Sequence, residues 1–206
     1  MEATVNLSSC NSHPGGRASV RRFLVGAAVT LWIALPGAHL SATAAPGSSP
    51  QVSVLEVRGT YSVVARFDVP QDSGAALAVL SDYEQIPRFM PDVRTSVILE
   101  RTPGRVLIEQ EAVSQFLTFS KTVHLVLDVT EDGDTIRFVD RCGTSFTRYQ
   151  GIWRVTQKDG ATSITYELTA QPAFDVPGFV LKRLLKRNAL EMIERLRQEI
   201  AERAAR

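Results

Sequence analysis

The segment VPGFVLKRLLKRNALEMIERLRQEIAERAAR, residues 176–206, decides the fold. Pro177 and Gly178 open it, and from 179 to 203 it contains neither Pro nor Gly. A Pro just inside a helix start, followed by an unbroken run of good helix formers, predicts one long helix. Leu181, Leu185, Ala189, Met192, Leu196 and Ile200 recur every three or four residues, with Leu184 and Ile193 widening the stripe. The opposite face carries Lys182, Arg183, Lys186, Arg187, Glu194, Arg197 and Glu202. A helix with one apolar stripe is unstable alone in water and must lie on something.

Upstream residues supply the support. Tyr61, Val63, Ala65, Phe67 and Val69 alternate with Ser62, Val64, Arg66 and Asp68, a period-2 strand closed by Pro70. Asp72-Ser73 then reads as the N-cap of a short helix through Leu77, Val79 and Leu80. Asp82 with Gln85 three residues on resembles a capping box, starting a second short helix that ends at Pro91. Six more strands are expected at 93–101, 105–115, 117–130, 135–142, 146–156 and 162–171. Turn chemistry separates them: Pro103-Gly104, Asp132-Gly133-Asp134, Gly143-Thr144 and Asp159-Gly160. Short connections imply an antiparallel meander.

One face of these strands is apolar, through Val123, Leu125, Leu127, Val129, Ile136, Phe138, Tyr149, Trp153, Val155, Ile164, Tyr166 and Leu168. The other carries His124, Asp128, Arg137, Arg148, Arg154, Thr165 and Glu167. A sheet with one apolar face needs cover on that side, and the C-terminal helix is the segment long enough to give it. The expected class is α+β. A curved antiparallel sheet of about seven strands has two short helices after strand 1 and a long C-terminal helix across its concave face.

Residues 1–44 read as a leader. Arg17, Arg21 and Arg22 precede a short apolar run at 23–35, broken by Pro36-Gly37, and Ala42-Thr43-Ala44 has the small-x-small pattern of a cleavage site. The run is shorter than the ~20 residues that span a bilayer. Ser19-Val20-Arg21-Arg22-Phe23-Leu24-Val25 is similar to a twin-arginine export signal. The expectation is a cleaved, exported (periplasmic or secreted) protein; the alternative is an uncleaved N-terminal anchor. A Pro/Gly/Ser-rich linker follows at 45–51, and the domain is expected at 52–206.

Of 23 basic and 22 acidic residues, three Arg and Glu2 fall in the leader, which leaves 20 against 21. Near-neutral charge gives no global field for nucleic acid, so none is expected as a partner. Cys10 lies in the leader and Cys142 in the domain, so no disulfide framework is expected and the core must supply stability. A domain of this size buries roughly 70% of its unfolded surface. A monomer is expected.

The order strand, two short helices, strands, long helix resembles the START-like (SRPBCC, helix-grip) superfamily, specifically its polyketide cyclase/dehydrase and coenzyme-Q-binding branch. The carriers are Leu80-Ser81-Asp82-Tyr83-Glu84-Gln85-Ile86-Pro87-Arg88-Phe89-Met90-Pro91, Val106-Leu107-Ile108-Glu109-Gln110, Tyr149-Gln150-Gly151-Ile152-Trp153-Arg154 and Phe174-Asp175-Val176-Pro177-Gly178-Phe179. The resemblance covers residues 60–203. The resemblance implies the fold. The superfamily holds lipid carriers, quinone binders and cyclases, so it does not select a function.

A helix lying across a strongly bent sheet leaves an apolar hole with a few polar groups. Tyr83, Phe89 and Met90 are expected to border its mouth beside the short helices. Phe119, Phe138, Tyr149, Trp153 and Tyr166 point to the same side, and Leu181 and Leu185 come down from the helix. Gln110 is in phase with Val106, Ile108 and Ala112, so its carboxamide needs a protein or ligand partner. Each aromatic also has the plainer role of core filler. An alkyl or isoprenoid tail gains about 0.8 kcal/mol per buried methylene.

Catalytic machinery is not evident. After the leader the one His is His124, on the wet face; no HxxxH or CxxC spacing, nucleophile motif or phosphate loop occurs. No catalytic residue, metal or cofactor is therefore expected. Lys182, Arg183, Lys186 and Arg187 open the long helix near the expected mouth, and they are either a solvated face or a dock for anionic lipid head groups. The reading is non-catalytic binding or transport of a hydrophobic small molecule (lipid, isoprenoid or quinone-like). The alternatives are a cyclase/dehydratase-type enzyme and a filled scaffold for protein contacts.

Overall fold

The computed structural model describes residues 49–116, 119–158 and 160–206, with the side chains of 114–120 outside the description. The leader expected at 1–44 lies outside the described residues, as does most of the expected linker. Eight strands form one sheet: β1 Gln51–Val57, β2 Thr60–Val69, β3 Val93–Thr102, β4 Arg105–Phe116, β5 Phe119–Asp132, β6 Thr135–Asp140, β7 Phe146–Lys158 and β8 Ala161–Pro172. Between β2 and β3 come α1 (Ser73–Leu80), a 3-10 turn (Tyr83–Gln85) and α2 (Ile86–Phe89); α3 (Gly178–Ala204) ends the chain.

The strands lie in the order β1-β2-β8-β7-β6-β5-β4-β3. All pairs are antiparallel. β3 to β8 form the expected meander, and β2 returns the sheet to its last strand, pairing Phe67 with Ile164. The strand that the sequence reading missed is β1, which begins inside the stretch read as linker. It is an edge strand with Leu55 63% exposed and Val57 56% exposed, so its apolar residues fall on both faces and hide the alternation. Its turn to β2 is Arg58-Gly59, both with positive φ, the backbone of a tight hairpin.

Local chemistry follows the sequence at α1, where Asp72 caps the helix by accepting from Ala75 N at 2.9 Å. Asp82 does not cap; its Oδ2 instead accepts from Arg203 Nη1 at 2.7 Å, tying the short helices to the end of α3. Asp128 was expected on the wet face and is there, but buried. Arg105 and Arg141 cover it, with Arg105 Nε and Nη2 both 2.7 Å and Arg141 Nη2 2.6 Å from its carboxylate. Both cations pull its pKa below the usual carboxylate range, Arg105 most strongly, against the opposing effect of burial. Cys142 Sγ lies 3.6 Å from His124 Nδ1 and 3.5 Å from Thr144 Oγ1.

α3 runs closest to β1, β2, α1 and α2. Ile193, Leu196 and Ile200 pack there into the core with Phe67, Val79 and Ile164. Near its start, Leu181 and Leu184 cluster with Tyr61.

Candidate functional site

Between α3 and the inner faces of β4–β8 lies a cavity of about 420 Å³, within the ~300–1,000 Å³ of small-molecule sites. Its walls are the period-2 inner positions of the strands. Ile108, Gln110 and Ala112 come from β4, Val123, Leu125, Leu127 and Val129 from β5, and Phe138 from β6. Tyr149 and Trp153 follow from β7, and Tyr166 and Leu168 from β8. Leu185, Asn188 and Met192 close it from α3. Phe138, Tyr149, Trp153, Leu185 and Met192 pack on the core yet stay only partly buried, because each turns surface to the void.

Bulky rings hold the sheet and helix apart here. Trp153 and Tyr166 lie 4.3 Å apart by ring centroid, Phe146 and Tyr149 4.9 Å, and Phe138 and Tyr149 5.9 Å. Gly151 pairs with Phe138 across β6 and β7, and the Phe138 ring lies directly over it, in space that any side chain would take. A glycine in a strand interior marks such a close approach.

Of the sequence-expected residues, Tyr83, Phe89, Met90, Gln110, Phe138, Tyr149, Trp153, Tyr166, Leu181 and Leu185 all line this cavity. The side chain of Phe119 lies outside the described residues. Tyr83 and Phe89, expected at the mouth, line the cavity from within and are 4% and 9% exposed. Tyr83 donates to Glu131 Oε1 at 2.6 Å. Burial foremost, then Glu131, raises its pKa. The lining residues that face solvent are Pro91 and Asp92, beyond α2, with Glu191 and Arg195 on α3, and these mark the opening. Sequence reasoning missed them because alternation and helical phase assign faces, not the gap between elements.

The interior is polar at few points. Gln110 Nε2 donates to Ser96 Oγ at 3.0 Å. The Tyr149 and Tyr166 hydroxyls influence one another, and burial, the largest cause in both, pushes Tyr149 up to about 12 and Tyr166 well above its ordinary value. Both phenols therefore stay protonated at neutral pH. His124 is on the outer face, its Nε2 2.9 Å from Glu109 Oε1. Among the described residues no cluster of three or more His, Cys, Asp or Glu could hold a metal, and no helix is long and apolar enough to cross a membrane.

Residues 69–197, more than half of the chain, match the family model described as polyketide cyclase / dehydrase and lipid transport. The chain belongs to that family. A START superfamily protein from Mycobacterium smegmatis is 18% identical with a TM-score of 0.61, over 68% of this chain and 97% of that one. A STAR-related lipid transfer protein from Xanthomonas axonopodis is 19% identical with a TM-score of 0.54, over 73% and 98%. The Zhui aromatase/cyclase from a Streptomyces species is 15% identical with a TM-score of 0.60, over 70% and 96%. At these identities the likeness is one of fold. No curated protein matches the chain.

Proposed function

We propose that this protein binds a hydrophobic small molecule (lipid, isoprenoid or quinone-like) in the cavity beneath α3 and carries it without chemical change. The observation that carries the reading is an apolar void whose walls are partly accessible rather than packed. Among the described lining residues, burial holds the Tyr149 and Tyr166 phenols in their neutral form, so neither serves as a base. The solved relatives include both a lipid transfer protein and an aromatase/cyclase, so the distinction between carrier and enzyme rests on this site. Export behind the Arg-rich leader, as a monomer, is part of the proposal.

The second part concerns delivery. Lys182, Arg183, Lys186 and Arg187 are exposed on the first turns of α3, and Phe179 beside them is 79% exposed. An apolar ring flanked by cations suits a membrane surface with anionic head groups, each basic residue contributing about 1 kcal/mol near it. Native mass spectrometry of freshly purified protein, followed by solvent extraction, tests the carrier reading. An extractable guest released unchanged supports it; recovery of converted product supports the enzyme, and a protein that retains and takes up nothing removes both. Co-sedimentation with anionic liposomes tests the docking face. Charge reversal of the four basic residues should abolish pelleting, and unchanged pelleting would discard the idea.

A further inference from the structure

We infer that the cavity selects a guest whose buried polar group is uncharged, a hydroxyl or carbonyl on an otherwise apolar body, and rejects the matching carboxylate. This rests on the carrier reading and narrows it. The argument is one of charge placement. Apart from the exposed Asp92, Glu191 and Arg195, no described lining residue is an acid or base other than the tyrosine phenols. An ionised head group inside the cavity would thus lose its water with no counter-ion, a large penalty. At the opening, two carboxylates stand against one guanidinium, so an anion finds no net attraction there.

A neutral polar group has partners. Gln110 commits its Nε2 to Ser96 and keeps its carbonyl oxygen as an acceptor. The Tyr149 phenol, also on the cavity wall, carries a proton that it can donate. These two groups, on β4 and β7, are on the wall opposite α3, where Leu185 and Met192 are apolar and Asn188 adds a buried carboxamide oxygen that has no hydrogen-bond donor among the described residues. A hydroxyl on the guest can therefore be met from the sheet wall or from α3, by neutral groups in either case.

The test is displacement of the neutral fluorophore N-phenyl-1-naphthylamine from full-length mature protein at pH 8, by 1-dodecanol and by dodecanoate. The alcohol should compete at least tenfold more strongly, the size of penalty expected from unmet buried polar groups. Gln110→Leu and Tyr149→Phe should each weaken the alcohol about fivefold or more relative to any change in the fluorophore's own affinity. Dodecanoate competing as well as dodecanol overturns the inference and leaves the carrier reading standing. No fluorophore or alcohol binding at all overturns the carrier reading itself. The wild-type comparison needs no variant, so a poorly folding Gln110→Leu protein does not blunt the result.

Discussion

Two flanks of one sheet meet α3 in different ways. On β2 and β8, Phe67 and Ile164 are sealed against Ile193 and Ile200, and all four are 1% exposed or less. On β4 to β7, Tyr149, Trp153 and Phe138 face Leu185 and Met192 across open volume. The neighbours explain the contrast. Phe67 is enclosed by branched aliphatic side chains at close range, whereas the rings of Phe138, Tyr149, Trp153 and Tyr166 stack on one another and leave a gap toward Leu185 and Met192. The closed flank carries stability and the open flank is free to take a guest.

The largest effects should fall on the closed flank. Phe67→Ala removes a fully buried ring that also lies under the Arg197 guanidinium, and should cost about 3–5 kcal/mol in urea unfolding. Met192→Ala, at the void, should cost about 1 kcal/mol, because no tight packing is lost. Equal costs would erase the distinction between flanks.

Asp128 stitches the open flank from outside, joining β4 and β5 to the turn after β6 through Arg105 and Arg141. Asp128→Asn should lose about 2 kcal/mol at pH 7. Its carboxyl is depressed in the folded state, so its contribution is complete above the ordinary carboxylate pKa and fades as pH falls through the folded value. Acid titration of stability should therefore be flatter in the variant; an identical acid limb would show that the pair contributes nothing.

Gly151→Ala tests the ring spacing itself. The new methyl would collide with the Phe138 ring and lie 2.5 Å from the Glu167 carbonyl oxygen. A cost of about 1–3 kcal/mol is expected, with the Phe138 ring driven into the cavity and guest capacity reduced. Retained stability with full capacity would mean that Gly151 does not set the gap. Smallest of all, reversing Lys182, Arg183, Lys186 and Arg187 should change unfolding free energy by less than about 0.5 kcal/mol, since all four are exposed.

The closed flank was the legible one. The spacing of Leu181 to Ile200 gave α3 within a residue or two of its ends, and alternation put Phe67 and Ile164 on the covered face. β1 escaped because Leu55 and Val57 face solvent at an edge, where no burial enforces a pattern. Asp128 read as a wet-face residue because its phase is correct; only the folded register brings Arg105 and Arg141 over it. The rim was harder to read. Tyr83 and Phe89 line the cavity from the short helices, Tyr83 held by its hydrogen bond to Glu131, while the exposed rim residues Pro91, Asp92, Glu191 and Arg195 come from separate elements that no local pattern links.

Methyl NMR of the protein titrated with 1-dodecanol compares the flanks in one experiment. Saturable shifts should appear at Met90, Leu125, Leu185 and Met192, with Ile164 and Ile200 unmoved. Shifts of equal size at Ile164 and Ile200, or none at Leu185 and Met192 at any concentration, would contradict the existence of a guest site on the open flank.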